Sequence, residues 1–100
     1  KIPIAMGTDA GTPFNCHGEN LKEVELLVKA GMTPMEALVA TTKIASEVLG
    51  LEKKIGTLEK GKLADLIVVD GNPLKDIQLL QDKNKIQVIM KEGCFHKCEL

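Results

Sequence analysis

The first thirteen residues place the tightest constraint on how this chain can fold. Residues 2–6 are a short apolar run that predicts a buried strand, and residues 7–13 follow as a glycine-punctuated turn. A lone parallel strand cannot bury both of its faces, because such strands normally lie inside sheets that are covered by helices. We therefore expect this strand to need neighbours from elsewhere, and we expect the chain to be a piece of something larger.

One carboxylate, Asp9, lies where this strand ends. Gly7 and Gly11 on either side leave room for a ligand or metal to approach the carboxylate, and loops after rigid strands often carry sites. Asp9 is therefore a candidate site residue, and the alternative is that it only caps the turn or the next helix. His17 in the following loop could contact substrate or carry a proton in the same cleft, or it could be a surface histidine.

Composition limits the class of protein. The chain has 100 residues, 44 % of them hydrophobic, and a formal net charge of -1, which is typical of one small soluble domain and indicates no affinity for nucleic acid or membranes. No apolar run approaches the roughly 20 residues that span a bilayer, and the start lacks the pattern of a signal peptide. We expect a cytoplasmic protein. Its odd number of cysteines, three, favours reduced thiols over a disulfide framework.

Helical periodicity predicts three helices in the first half of the chain. The first begins at Asn20, whose side chain is placed to cap it, and ends at Gly31. The second begins at Thr33, which forms a capping box with Glu36. The third runs to Gly50.

The second half is predicted to be mostly strands and loops. Residues 51–62 are charged and glycine-rich, which indicates a loop with a short edge strand at residues 55–58. The strongest strand is Leu66–Val69, followed by a polar connection with a helical turn at residues 77–80. Residues 86–90 and 94–98 then form a hairpin around a turn at residues 91–93.

Three soft metal ligands, Cys94, His96 and Cys98, alternate along the last predicted strand and share one face. They suggest a small zinc module. Neighbouring residues on one face of a strand are about 6.6 Å apart, which is too far for all three to converge on one ion unless the strand bends.

Several short motifs occur in a fixed order over nearly the whole chain. They are Gly7-Thr8-Asp9, Ala30-Gly31-Met32-Thr33-Pro34-Met35-Glu36-Ala37-Leu38, Ala40-Thr41-Thr42, Ala45, Leu49-Gly50-Leu51, Ile55-Gly56-Thr57-Leu58, Gly61-Lys62-Leu63-Ala64-Asp65-Leu66 and Asn72-Pro73-Leu74. Each motif alone is weak, and their ordered occurrence is specific. Together they resemble the C-terminal end of the metal-dependent amidohydrolase superfamily, in the branch of imidazolonepropionase and Xaa-Pro dipeptidase (prolidase).

The resemblance implies an α/β fold made of two parts. Residues 1–52 would be the last strand and closing helices of a (β/α)8 TIM-like barrel, and residues 53–100 would be the C-terminal strands of a small β-sandwich domain. Active sites of such barrels lie at the C-terminal ends of the strands, where Asp9 falls. The Asp65 side chain is expected to serve its local backbone.

The resemblance also implies the chemistry of the whole protein. Asp9 matches an aspartate that is a metal ligand and a catalytic base for the attacking water, and His17 matches a loop position near the substrate. The expected cofactor is a divalent metal, with zinc as the expected ion, and the expected substrate is a dipeptide or a cyclic amide. The family's His-x-His pair, its further histidines and its carboxylated lysine are missing from this sequence.

We therefore expect the whole protein to be a hydrolase acting on C–N bonds, and this chain alone to be inactive without stably bound metal. Its apolar helix faces lead us to expect homo-oligomers or association with the missing part of the barrel. The competing hypothesis is a non-catalytic domain of helices and a β-hairpin that binds a partner.

Overall fold

The structure is a computed structural model and describes residues 3–7 and 21–99. It contains both helices and strands, as the α/β prediction requires. The helices are α1 (Lys22–Lys29), α2 (Pro34–Thr41), α3 (Lys43–Val48) and a 3-10 helix (Ile77–Gln81), and the strands are β1 (Leu66–Val69), β2 (Ile86–Lys91) and β3 (Cys94–Cys98). Within the described ranges, every helix is too short or too polar to cross a membrane.

The start of α2 confirms its predicted capping box. The Thr33 hydroxyl oxygen accepts a hydrogen bond from the Glu36 backbone N–H at 3.1 Å, and the Glu36 carboxylate accepts one from the Thr33 N–H at 3.0 Å. Pro34 occupies the first turn, where its missing N–H costs nothing. The start of α1 differs from the prediction: its N-cap residue is Leu21, which makes no side-chain cap, and Asn20 lies outside the described residues.

The three strands form one antiparallel sheet in the order β1-β2-β3. The pairing of β2 with β3 shifts within the ladder, so that Met90 pairs with Phe95 and Ile89 pairs with Lys97. His96 is thus the extra residue of a β-bulge.

This bulge makes the prediction of a shared Cys94, His96 and Cys98 face wrong. Cys94 pairs with Lys91, and Cys98 pairs with Val88. Paired residues lie on the same face of a sheet, and residues three apart on one strand lie on opposite faces. The two cysteines therefore lie on opposite faces, because the extra residue shifts the alternation by one.

The predicted edge strand at residues 55–58 is also wrong. Residues 55–57 form bends, and the segment pairs with no strand among the described residues. Gly56 has a φ of +99°, and a Cβ built on it would overlap with the Ser46 hydroxyl oxygen. The segment therefore packs closely on α3 through a residue without a side chain, and this backbone conformation is incompatible with a strand.

The core joins the helices to the 3-10 helix. Val24 of α1 and Ala37 of α2 are fully buried and pack with Leu80, which is 5 % exposed. The core is small, which fits the many large apolar side chains that stay exposed, among them Met35 at 53 % and Leu58 at 80 %. The predicted division into residues 1–52 and 53–100 stays a prediction.

Residues 3–7 do not form the buried strand that their sequence predicts. They pair with no strand of the described residues, and Ile4 is 48 % exposed. A strand needs neighbours to satisfy its backbone groups, and the described part of the chain provides helices at this place. The Met6 N–H instead donates to the Ala40 carbonyl of α2 at 3.0 Å.

Candidate functional site

Asp9 and His17, the two site residues predicted from the sequence, lie outside the described residues. The structure describes the segment that leads to Asp9, residues 3–7, which ends two residues before it. The structure therefore shows the approach to the site, which is that segment and the helix that holds it.

The end of α2 fixes this segment by two contacts. The first is the hydrogen bond from the Met6 N–H to the Ala40 carbonyl, and Ala40 itself is fully buried. In the second, the Thr41 hydroxyl donates to the Ala37 carbonyl at 2.7 Å and lies 3.4 Å from the Met6 sulfur. Because one backbone contact and one side-chain contact meet at Met6, the chain reaches Gly7 along a defined path.

An open, mostly apolar groove of about 700 Å³ lies beside this segment. We call it the α2 groove. It is lined by Pro3, Ile4, Gly31, Met32, Thr33, Met35, Glu36, Val39 and Ile44. The polar side chains among them, Thr33 and Glu36, are engaged in the capping box of α2. The groove is therefore suited to contact with apolar surface, and the described residues that line it bring no pair of catalytic groups together.

The described residues do not form a metal site on their own. Over residues 3–7 and 21–99, no three His, Cys, Asp or Glu side chains come close enough to hold one ion. The predicted zinc module fails this test, because Cys94 and Cys98 face opposite sides of the sheet. A metal at Asp9 would need its further ligands from outside these ranges, since zinc sites use three or four protein ligands.

Two glutamates have perturbed acidity, and neither is among the site residues predicted from the sequence. The pKa of Glu25 is held below its ordinary value by a hydrogen bond from Lys29 and then by one from the Gln81 amide. The pKa of Glu59 is held below its ordinary value by Lys62 and then by the Thr57 hydroxyl. In both cases the lowered pKa comes from hydrogen bonds to neighbouring side chains. For Glu25, the sequence indicates one of these partners, because Lys29 lies four residues later, the spacing of an ion pair on a helix.

Comparison with known proteins identifies the family. The family model described as "Amidohydrolase family" matches residues 1–94. The imidazolonepropionase of Thermoplasma volcanium is 33 % identical over 93 residues, which cover 92 % of this chain and 23 % of that protein. The ochratoxinase of Aspergillus niger is 34 % identical over 98 residues, which cover 96 % of this chain and 20 % of that protein.

Solved structures agree with the sequence comparisons. The crystal structure of a Xaa-Pro dipeptidase with bound methionine in its active site superposes with a TM-score of 0.85 and 42 % identity, covering 94 % of this chain and 22 % of that one. The chain thus spans about a fifth of the length of the relatives it matches. Both the superfamily and the branch inferred from its motifs are confirmed, and the chain belongs to the amidohydrolase family.

Proposed function

We propose that this chain is the C-terminal part of a metal-dependent hydrolase that acts on C–N bonds, in amides, peptides or cyclic amides. The observation that carries the proposal is the family match over residues 1–94. The names of the relatives, imidazolonepropionase, ochratoxinase and Xaa-Pro dipeptidase, support the same reaction class.

The proposed architecture follows from the same likeness. Residues 1–52 contribute the last strand and closing helices of a (β/α)8 barrel, and residues 53–100 contribute strands to a small β-sandwich. The superposition with the Xaa-Pro dipeptidase supports this, since it covers 94 % of the chain. In the whole protein, neighbouring barrel strands would supply the pairing that residues 3–7 do not find among the described residues.

In this proposal Asp9 serves as a metal ligand and as the carboxylate that accepts a proton from the attacking water. A divalent metal such as zinc supplies Lewis acidity when it is bound. In this proposal the chain carries Asp9 two residues after the segment that α2 holds through Met6. His17, eight residues after Asp9 in the sequence, is proposed as a substrate contact.

The chain alone is proposed to be inactive. Asp9 is one ligand, and the described residues contribute no cluster that could complete its coordination. Purified chain supplied with zinc should therefore show no hydrolysis of a panel of dipeptides and cyclic amides. Turnover by the chain alone would contradict this part of the proposal.

The main test is Asp9→Asn in the full-length protein. We expect kcat to fall by at least about 100-fold, as for the loss of a positioned proton acceptor, and the zinc content to fall with it. Asp70→Asn is the matched control, because Asp70 is an exposed carboxylate at the end of β1. Unchanged turnover and metal content in Asp9→Asn would overturn the assignment.

The substrate class can be separated by a second measurement. The likeness to Xaa-Pro dipeptidase predicts activity on dipeptides that end in proline, and the likeness to imidazolonepropionase predicts activity on a cyclic amide. Comparing kcat/KM of the full-length protein for both classes decides between them. Activity on neither class would contradict the proposed substrates. It would not affect the family membership, which rests on the match over residues 1–94.

A further inference from the structure

A buried carboxylate joins α1 to the 3-10 helix. Glu25 is only 8 % exposed, although charged side chains are rarely buried unless they are paired. It follows directly after Val24, the fully buried residue of the core. Glu25 therefore lies where the apolar contact between α1 and Leu80 reaches the edge of the core.

Every partner of Glu25 that the structure identifies is polar, and two of them come from the 3-10 helix. The Gln78 amide donates to one carboxylate oxygen at 3.3 Å, and the Gln81 amide donates to the other. Lys29, one turn later on α1, lies 2.9 Å from the first oxygen. One carboxylate thus holds two points of the 3-10 helix, on either side of Leu80.

The surrounding charges favour the ionised carboxylate. The pKa of Glu25 is lowered first by the hydrogen bond from Lys29 and then by the one from Gln81, with a smaller contribution from the charge of Lys22, and burial raises it; the net shift is downward. Asp82, at the end of the 3-10 helix, is the further titratable group that lines the same shallow groove of about 340 Å³. The groove is open, so protons and water reach Glu25 without unfolding of the core.

We propose that Glu25 is an acid-sensitive clasp that holds the 3-10 helix, and with it Leu80, on α1. Apolar contacts alone give little rotational preference between short elements, whereas hydrogen bonds are directional. In this arrangement the ionised carboxylate accepts from both glutamine amides, and a protonated one would lose the ion pair with Lys29 and turn one acceptor into a donor.

The sign of the pH effect follows from the downward shift. A group whose pKa is lower in the folded state than in the unfolded state stabilises the fold above its ordinary pKa, here 4.5. That contribution is lost as the pH falls through the lower folded value. The junction of α1 with the 3-10 helix should therefore open in acid while the sheet stays closed.

Amide hydrogen exchange, expressed as protection factors, tests this proposal on the chain itself. The N–H groups of Leu79 and Asp82 form hydrogen bonds within the 3-10 helix and report on its opening. We expect their protection to fall about fivefold between pH 6 and pH 3.5, within the limit of roughly tenfold that linkage sets one pH unit below the ordinary pKa of 4.5, with the amides of β2 and β3 unchanged. Uniform loss of protection over the whole chain would overturn the proposal.

Glu25→Gln should show the low protection already at pH 6 and no further change on acidification. Glu59→Gln is the matched control, because Glu59 is also paired with a lysine and has a lowered pKa, but its partners Lys62 and Thr57 lie in its own loop. We expect it to keep the wild-type profile. Retention of the acid response in Glu25→Gln would contradict the clasp.

A milder variant covers the case in which Glu25→Gln does not fold. Lys29 is 64 % exposed, so Lys29→Gln leaves the core intact and removes only the ion pair. Because Lys29 lowers the pKa of Glu25, its removal should move the midpoint of opening to higher pH. An unchanged midpoint would count against the proposal.

Discussion

The Asp65 carboxylate accepts a hydrogen bond at 2.8 Å from the backbone N–H of Glu92, a residue 27 positions later. Glu92 has a φ of +51° and Gly93 a φ of +81°, so the two form the tight turn between β2 and β3. The Gly93 N–H in turn donates to the Ala64 carbonyl at 3.1 Å. Asp65 therefore serves a distant turn rather than the local backbone that its sequence context indicated.

The first prediction concerns this hydrogen bond. Asp65→Ala should lower the free energy of unfolding by about 1 to 2 kcal/mol, because the Glu92 amide in the turn loses its charged acceptor. Asp65→Asn should cost less, since an amide oxygen can still accept. Urea denaturation measures both changes.

The control is Asp70→Ala at the other end of β1. Asp70 is exposed, and its carboxylate lies 3.8 Å from the Lys85 ammonium, which is also exposed. Exposed pairs of this kind contribute about 0 to 1 kcal/mol. Equal losses in Asp65→Ala and Asp70→Ala would show that the turn contact adds nothing.

The second prediction concerns the close packing of Gly56 on α3. A Cβ at Gly56 would overlap with the hydroxyl of Ser46 and lie 2.7 Å from its Cβ, and Ser46 is 2 % exposed, with its hydroxyl donating to the Lys43 carbonyl at 2.6 Å. Gly56→Ala should therefore destabilise the chain by about 2 to 4 kcal/mol, from overpacking and from its positive φ.

Gly50→Ala separates the two causes. Gly50 also has a positive φ, +72°, but a Cβ there meets no atom of the described residues within 4 Å. Gly50→Ala should lower the free energy of unfolding only by the cost of the positive φ, about 1 kcal/mol. Thermal unfolding of both variants gives the difference, and similar melting temperatures would mean that Ser46 yields more easily than its burial indicates.

The third prediction is a pH dependence in the loop at residues 57–62. Lys62, 2.9 Å from the Glu59 carboxylate, and the Thr57 hydroxyl hold the pKa of Glu59 below its ordinary value of 4.5. The stabilisation is therefore present above pH 4.5 and is lost as the pH falls through the lower folded value. Lys62→Met should raise the pKa of Glu59 toward 4.5, as measured by NMR titration of its carboxyl carbon.

A pKa of Glu59 that does not move in Lys62→Met would contradict this account. High salt offers an independent check, because Glu59 is 63 % exposed and its ion pair is open to screening. The pKa should rise with ionic strength in the wild type and less so in Lys62→Met.

The fourth prediction concerns the α2 groove. Met35 and Ile4 line it and are 53 % and 48 % exposed, and exposed apolar surface of this extent favours association. We expect the chain to self-associate at high concentration. Met35→Glu should shift it toward the monomer in light scattering, whereas Leu58→Glu, at an 80 % exposed position that does not line the groove, should not. A wild-type chain that stays monomeric would contradict this expectation.

What the sequence predicted correctly depends on residues close to one another in the chain. The capping box of α2 joins residues three positions apart, and the β-branched run of β1 carries its own strand preference. The motifs that identify the family are equally local. The assignment of Asp9 and His17 as site residues also rests on local pattern and on the resemblance, and it stays a prediction.

What only the tertiary structure decided involves residues that are far apart. The bulge at His96 depends on how β3 pairs with β2, and it separates two cysteines that simple alternation places together. The clasp joins Glu25 to Gln81 across 56 residues, and Asp65 reaches the turn across 27. Local propensity carries no information about such partners, because each contact forms only after the core has brought the two segments together.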